Sequence, residues 1–205
     1  DYPYRPDSDF FYVTGFPEPE AVAVLAPGRP QGEYLLFCRE RDPEREQWDG
    51  SRAGLEGACS RYDADDAFPI GDIDDILPGL IENRSRVFHA MGYYSDFDQR
   101  VVDWVKRVRH RTRAGGGTPH EFVALDHLIH EQRLFKSKAE LRIMREAARI
   151  SVGAHRRLME VCKPGMMEYQ LEAEFVHECL RNGSRATAYP SIVAGGTNAC
   201  VLHYV

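Results

Sequence analysis

The chain has 205 residues, of which 43% are hydrophobic and 28% charged, and its formal net charge at pH 7 is −6. That length suits one large or two small domains with a buried core. The acidic balance argues against a protein that binds nucleic acid through its phosphates or that adheres to an anionic membrane surface. No apolar run approaches the roughly 20 residues of a membrane-spanning helix.

In chain order, the first regular pattern is a pair of strands. Residues 21–26 and 34–38 are apolar and flank a turn rich in Pro and Gly, which predicts a hairpin. The first of these runs does not alternate with polar residues, so we expect it to be buried on both faces. The charged segment 39–66, with Trp48 in its middle, is expected to be rich in loops.

Helix and strand patterns alternate further along the chain. Residues 70–81 repeat apolar side chains at helical spacing, although Pro78 disturbs the pattern. A strand is predicted at 87–91 and an amphipathic helix at 97–108. The alternation indicates an α/β domain.

The second half carries a clear helix start. Ser137 is followed three residues later by Glu140, the spacing of a capping box. The helix is predicted to end at 163–165, and a second helix is predicted at 167–181. Residues 191–204 predict two strands around a turn, so this half is expected to be α+β.

The five cysteines are scattered, odd in number and include no CxxC pair. Such usage is typical of reduced thiols, which favours a cytoplasmic protein. The chain begins without Met and ends in a strand-like segment, so we expect it to be a piece of a longer protein. The lack of a signal peptide therefore leaves organelle targeting open.

Two groups of residues could suggest a metal. His127 and His130, followed by Glu131, lack a third ligand and do not form the HExxH pattern, so ion pairing with nearby basic residues is favoured. Glu168 and Glu172 share one helix face, but a dimetal site would need further ligands from other elements. A solvated acidic face is favoured for this pair.

Two further features lie near the end of the chain. The glycines of 195–198 could cradle a phosphate, but a predicted strand rather than a helix follows them, so a hairpin turn is favoured. His203 lies on that strand, where a single histidine is most often structural. The residues by themselves thus yield a two-part α/β protein without a complete catalytic constellation.

Several motifs together resemble a known family. They are Tyr2–Arg5, Ser8–Tyr12, Thr14–Phe16 and Glu18–Ala21 at the start, His130–Ser137 in the middle, and Lys163–Met166 with Glu168, Tyr189–Val193 and Asn198–Tyr204 near the end. In this order they resemble aminopeptidase P, the Xaa-Pro aminopeptidase family of M24 metallopeptidases. The resemblance implies a creatinase/aminopeptidase P-like α/β domain over 1–134. The first part of an α+β pita-bread metallopeptidase domain is implied over 135–205.

The resemblance also implies an activity. Members release the N-terminal residue from peptides that have proline in second position, and they are typically homotetramers. They use two divalent metal ions, usually manganese, bound by two Asp, one His and two Glu, and a metal-bridging hydroxide attacks the Xaa-Pro carbonyl. These ligands are expected beyond Val205. No metal ligand is therefore assigned here, and the 205-residue chain itself is expected to be inactive.

Four residues carry over from the family to this sequence. His203 matches a catalytic histidine that hydrogen-bonds substrate around the scissile bond, and Tyr189 matches a tyrosine that donates to a carboxylate ligand of the metals. Trp48 and Arg113 match substrate-binding residues, and the family lends the tryptophan to the active site of a neighbouring subunit.

Two other functions are compatible with the motifs. A prolidase-type dipeptidase, which cleaves Xaa-Pro itself, shares the two-domain plan, although Tyr2–Arg5 and Trp48 favour the aminopeptidase. A relative without catalysis could use the same fold to bind peptides.

Overall fold

The structure, a computed structural model, describes residues 4–111 and 117–204. It consists of two units, Asp1–Glu131 and Gln132–Val205, and each is described by itself. The helices and strands in chain order are α1 (Ser8–Thr14), β1 (Val22–Leu25), β2 (Tyr34–Cys38), α2 (Pro43–Asp49), α3 (Gly54–Tyr62), β3 (Asp66–Pro69), α4 (Ile73–Ile81), β4 (Arg86–His89), α5 (Ser95–Arg111), β5 (Glu121–Ala124), α6 (Asp126–Leu134), α7 (Lys138–Val161) and α8 (Glu168–Arg181). The expected domain boundary after Leu134 coincides with the end of α6, and it stays a prediction.

The centre of the first unit is strand β2. It pairs antiparallel with β1 and parallel with β3, so the predicted hairpin is confirmed. Leu36 and Cys38 face one buried cluster, whereas Phe37 faces a second cluster that includes Trp104. Strand β1 lies at the sheet edge and Leu25 is 71% exposed, so the expected burial of β1 on both faces is wrong.

The expected loop between β2 and β3 is also wrong, because α2 and α3 occupy most of it. Helix α2 has ordinary start signals: the Asp42 side chain accepts from the backbone N–H of Arg45, and Pro43 is the first helical residue. The two helices carry the chain from β2 to the parallel strand β3, a connection that parallel pairing requires.

Helix α4 continues through Pro78 because a side chain of another helix donates to the backbone carbonyl that proline leaves without a partner. Proline has no N–H to offer the carbonyl four residues earlier, which belongs to Asp74. Arg107 of α5 donates to that carbonyl oxygen at 2.7 Å. The Asp74 carboxylate accepts from the Trp104 indole N–H, also at 2.7 Å. The predicted helices at 70–81 and 97–108 are thus confirmed, the first beginning with a 3₁₀ turn.

A second, two-stranded sheet joins β4 to β5 in parallel. The strand predicted at 87–91 is confirmed with slightly earlier bounds, whereas β5 was not anticipated. In the parts of the chain that the structure describes, no helix combines the length and hydropathy of a membrane span.

The second unit is a pair of helices followed by irregular chain. The capping box is confirmed, since Ser137 Oγ accepts from the Glu140 N–H and the Glu140 carboxylate accepts from the Ser137 N–H. Helices α7 and α8 pack through a small cluster of Ile150, Ala154 and Cys179. The strands predicted within 191–204 are wrong, because that segment contains only a 3₁₀ turn. A strand needs a hydrogen-bonding partner, and the described part of this unit contains none.

Candidate functional site

In the second unit, the carboxylate of Glu168 accepts hydrogen bonds from residues far along the chain. Glu168 is the first residue of α8, and its Oε1 accepts from the Gly195 N–H at 2.6 Å and from Asn198 Nδ2 at 3.0 Å. The Tyr204 hydroxyl also interacts electrostatically with this carboxylate. The expected solvated face is therefore wrong for Glu168, which contacts a segment about 30 residues away along the chain.

These contacts favour the ionised form of Glu168. The Gly195 N–H, and next the Asn198 amide, lower the pKa of the carboxyl below its usual value. The interaction with Glu168, including its negative charge, in turn raises the pKa of the Tyr204 hydroxyl. The position of Glu168 at the start of α8 adds the favourable field of the helix N-terminus.

His203 lies in a turn directly after the 3₁₀ segment, next to Tyr204, rather than on a strand as expected. Its side chain is exposed, and among residues 4–111 and 117–204 it has no hydrogen bond or ion pair. The residue that follows His203 interacts with Glu168, while both imidazole nitrogens of His203 are available to a ligand.

Tyr189 is 72% exposed and has no hydrogen bond or ring contact with a described residue. Within the described residues, no hydrogen bond or ring contact joins it to His203. Its expected role beside the metals stays a prediction.

Among the described residues, Trp48 is the most exposed large hydrophobic side chain, at 89%. It lies on helix α2 instead of the expected loop. Glu46 holds this helix, since its carboxylate accepts from Arg41 Nε at 2.6 Å and Nη2 at 2.8 Å, and that guanidinium lowers the pKa of Glu46. The indole ring of Trp48 is thus exposed on a helix that this ion pair stabilises. Arg113 lies outside the described residues.

The described residues do not fit a dimetal centre. They contain no group of three or more His, Cys, Asp or Glu side chains that could bind a metal ion. His127 Nδ1 lies 2.7 Å from the Ala124 carbonyl oxygen, and His130 Nε2 lies 3.2 Å from a carboxylate oxygen of Asp9. The two histidines thus contact a backbone carbonyl and a carboxylate, so the expected ion pairing with basic residues is not seen for either of them in the described part of the chain.

Two family models match the chain. The model described as aminopeptidase P, N-terminal domain, matches residues 1–88, and the model of metallopeptidase family M24 matches residues 142–205. The two matches lie in the same order as the motifs in the sequence, one on each unit of the structure.

Known proteins resemble the chain over its whole length. The Xaa-Pro aminopeptidase of Escherichia coli strain K12 is 40% identical over 205 residues, which cover 100% of this chain and 46% of the relative. The structure of Pseudomonas aeruginosa aminopeptidase PepP is 62% identical with a TM-score of 0.95, covering 99% of this chain and 46% of that one. A zinc-substituted E. coli aminopeptidase P in complex with product is 41% identical, with a TM-score of 0.92 and coverage of 99% and 46%. The chain thus spans about half the length of the curated relatives it matches.

Proposed function

This chain belongs to the aminopeptidase P family of M24 metallopeptidases, and we propose that the whole protein releases the N-terminal residue from peptides with proline in second position. The observation that carries the proposal is the correspondence of the entire chain to about half the length of Xaa-Pro aminopeptidases, over the N-terminal domain and the start of the M24 domain. Metal dependence follows from the M24 family, and we propose manganese as the ion.

Within this activity, His203 is the catalytic residue that the chain contributes. An imidazole with both nitrogens available can donate a hydrogen bond to a carbonyl oxygen as negative charge develops on it, or to the leaving nitrogen of proline. The exposure of His203 and its lack of protein partners in the described part of the chain support this role. The metals would supply an activated water when bound, and their ligands are proposed to lie outside this chain.

Trp48, Arg113 and Tyr189 complete the proposed site. An exposed tryptophan on a held helix suits an aromatic contact with a peptide, which supports substrate binding by Trp48 in a homotetramer. We propose that Arg113 binds substrate near the same entrance and that Tyr189 donates to a carboxylate ligand of the metals. The free cysteines support a cytoplasmic location.

The test uses the whole protein with an Xaa-Pro-Xaa tripeptide and the corresponding Xaa-Pro dipeptide. We expect manganese-dependent release of the first residue from the tripeptide only, with loss of activity after chelation and recovery on adding manganese. His203→Ala is expected to lower kcat/KM by about 100-fold, the usual effect of removing one hydrogen-bond donor to developing charge. The control is His177→Ala, which removes an exposed histidine of helix α8 and should leave kcat/KM unchanged.

The same assay distinguishes the alternatives. Cleavage of the dipeptide would indicate a prolidase, and peptide binding without cleavage would indicate a relative that has no catalysis. Trp48→Ala is expected to raise KM more than it lowers kcat, and sedimentation velocity should give a tetramer. A monomeric protein, together with an unchanged KM in Trp48→Ala, would contradict the proposal that Trp48 binds substrate in the active site of a neighbouring subunit.

A further inference from the structure

The segment that carries His203 is tied to its unit by one side chain. Within the described residues, every hydrogen bond that joins 195–204 to another segment ends on the Glu168 carboxylate. The remaining bonds are local ones, such as Asn198 N–H to the Gly195 carbonyl at 3.1 Å and Val201 N–H to the Asn198 carbonyl at 2.9 Å. These close the 3₁₀ turn but do not fix its place.

The contacts with Glu168 lie on both sides of His203 in sequence, as two hydrogen bonds before it and an electrostatic interaction after it. Gly195 and Asn198 precede it, at the start and middle of the turn, and Tyr204 follows it directly. Because two hydrogen bonds tie the chain before His203 to Glu168, and Tyr204 after it interacts with the same carboxylate, this carboxylate restrains the segment relative to α8. Loss of the carboxylate would release both flanks together.

Glu168 is itself well anchored for this purpose. It begins helix α8, which packs on α7 through Ile150, Ala154 and Cys179. The Gly195 N–H and the Asn198 amide lower the pKa of the carboxyl, and charge-assisted hydrogen bonds are shorter and stronger than neutral ones. A charged group on a packed helix can therefore hold a short irregular segment that has no sheet to support it.

We propose that Glu168 is the positioning residue for His203: its carboxylate fixes the 195–204 segment so that the imidazole meets the scissile bond. The role rests on the proposed function, in which His203 contacts substrate, and Glu168 itself touches no reacting atom. A displacement of about 1 Å in a catalytic group can cost on the order of 100-fold in rate, so holding this turn matters for catalysis.

The test compares Glu168→Ala, Glu168→Gln, His203→Ala and the double variant Glu168→Ala/His203→Ala in the whole protein. Glu168→Ala is expected to lower kcat/KM by about 10- to 100-fold. Glu168→Gln should recover a large part of this loss, because its amide oxygen can still accept from Gly195 and Asn198. In the His203→Ala background, Glu168→Ala should add less than about twofold, since residues that act through one another are not additive.

The matched control is Glu172→Ala, one turn further along α8, where the carboxylate makes none of these contacts. It should leave kcat/KM unchanged. Backbone hydrogen exchange, measured by mass spectrometry, gives a readout that is independent of activity. Glu168→Ala should speed exchange across 195–204 and leave α7 unchanged, whereas Glu172→Ala should alter neither.

Three results would overturn the proposal: full additivity of the two substitutions, an equal loss in Glu172→Ala, or unchanged exchange across 195–204 in Glu168→Ala. The failure of the proposed function is distinguishable from these results. A whole protein that cleaves no Xaa-Pro peptide would contradict the activity, and the exchange measurement would still decide whether Glu168 holds the segment.

Discussion

Cys38 illustrates how burial alone changes the chemistry of a side chain. It is fully buried at the end of β2, where it faces the cluster around Phe16. Burial, with a smaller contribution from Glu18, raises the pKa of the thiol from an ordinary value near 9 to about 11. The thiol is therefore inert at neutral pH and packs as a small hydrophobic group.

Stability at alkaline pH should depend on this thiol. Because the pKa of Cys38 is higher in the folded than in the unfolded chain, the stabilising preference is complete below about pH 9. It is lost as pH rises from there towards 11. We expect the free energy of unfolding of Cys38→Ala, from urea denaturation, to fall less between pH 8 and pH 10 than that of the wild type. Cys162→Ala, at an exposed position, should keep the wild-type slope, and equal slopes in all three would contradict the prediction.

At the residue scale, family motifs predicted a role for His203, but the sequence could not reveal which side chain contacts its segment. The pattern of α8 placed Glu168 opposite the apolar stripe, and nothing local distinguishes it from Glu172. The difference arises from a turn about 30 residues later that returns to the helix start. Helical periodicity contains no information about such a contact. The family motif of Lys163–Met166 with Glu168, in contrast, did single out this residue.

The packing of α4 against α5 depends on Trp104 at the scale of elements. Its ring is only 2% exposed, packs edge-on against Phe97 and donates to the Asp74 carboxylate. Arg100 stacks over the same ring and also donates to Asp74. The interface thus contains a buried aromatic ring whose only polar group, the indole N–H, has a hydrogen-bond acceptor.

In the 205-residue chain, Trp104→Phe is expected to lower the free energy of unfolding by about 2 kcal/mol, because the Asp74 carboxylate loses a donor and the ring loses volume. Trp48→Phe is the matched control, and it should change the free energy by less than about 0.5 kcal/mol because that ring is 89% exposed. Urea denaturation followed by circular dichroism measures both. Equal effects of the two substitutions would contradict this account of the interface.

The long amphipathic helices and the hairpin could be predicted because their signals are local. Strands β3 and β5 were missed because each has four residues and pairs in parallel with a distant partner. β3 even contains Asp66 and Pro69, which are unfavourable in strands. The two strands expected near the end failed for the opposite reason: the residues suit a strand, but the described part of their unit offers nothing to pair with.

For the whole molecule, family motifs predicted more than secondary-structure patterns did. The order of motifs along the chain gave the two-part architecture and the aminopeptidase P family, which the comparisons support. The positions of the individual candidate residues could not be read in the same way. Trp48 lies on a short helix in which Arg41 binds the Glu46 carboxylate, and His203 lies in a turn near residues that bind the Glu168 carboxylate. Periodicity does not encode the partners of these carboxylates.

The strand pairings have a consequence for the order of folding. β1 and β2 are neighbours in sequence. In contrast, residues that are in contact at the β2–β3 pair are 31 positions apart in sequence, and those at the β4–β5 pair are 35 positions apart. Loop closure costs more entropy as the separation grows. In pulsed hydrogen exchange during refolding, we expect β1–β2 amides to be protected before those of β4–β5, and the reverse order would contradict this.

The same pairing matters during synthesis, when the chain emerges from its N-terminus. The hairpin and its parallel neighbour β3 can form while later segments are still within the ribosome. β4 must wait, because its partner runs to Ala124. The N-terminal unit can therefore close only after nearly all of its residues have been made, and until then β4 presents an unpaired edge to which chaperones or other nascent chains can bind.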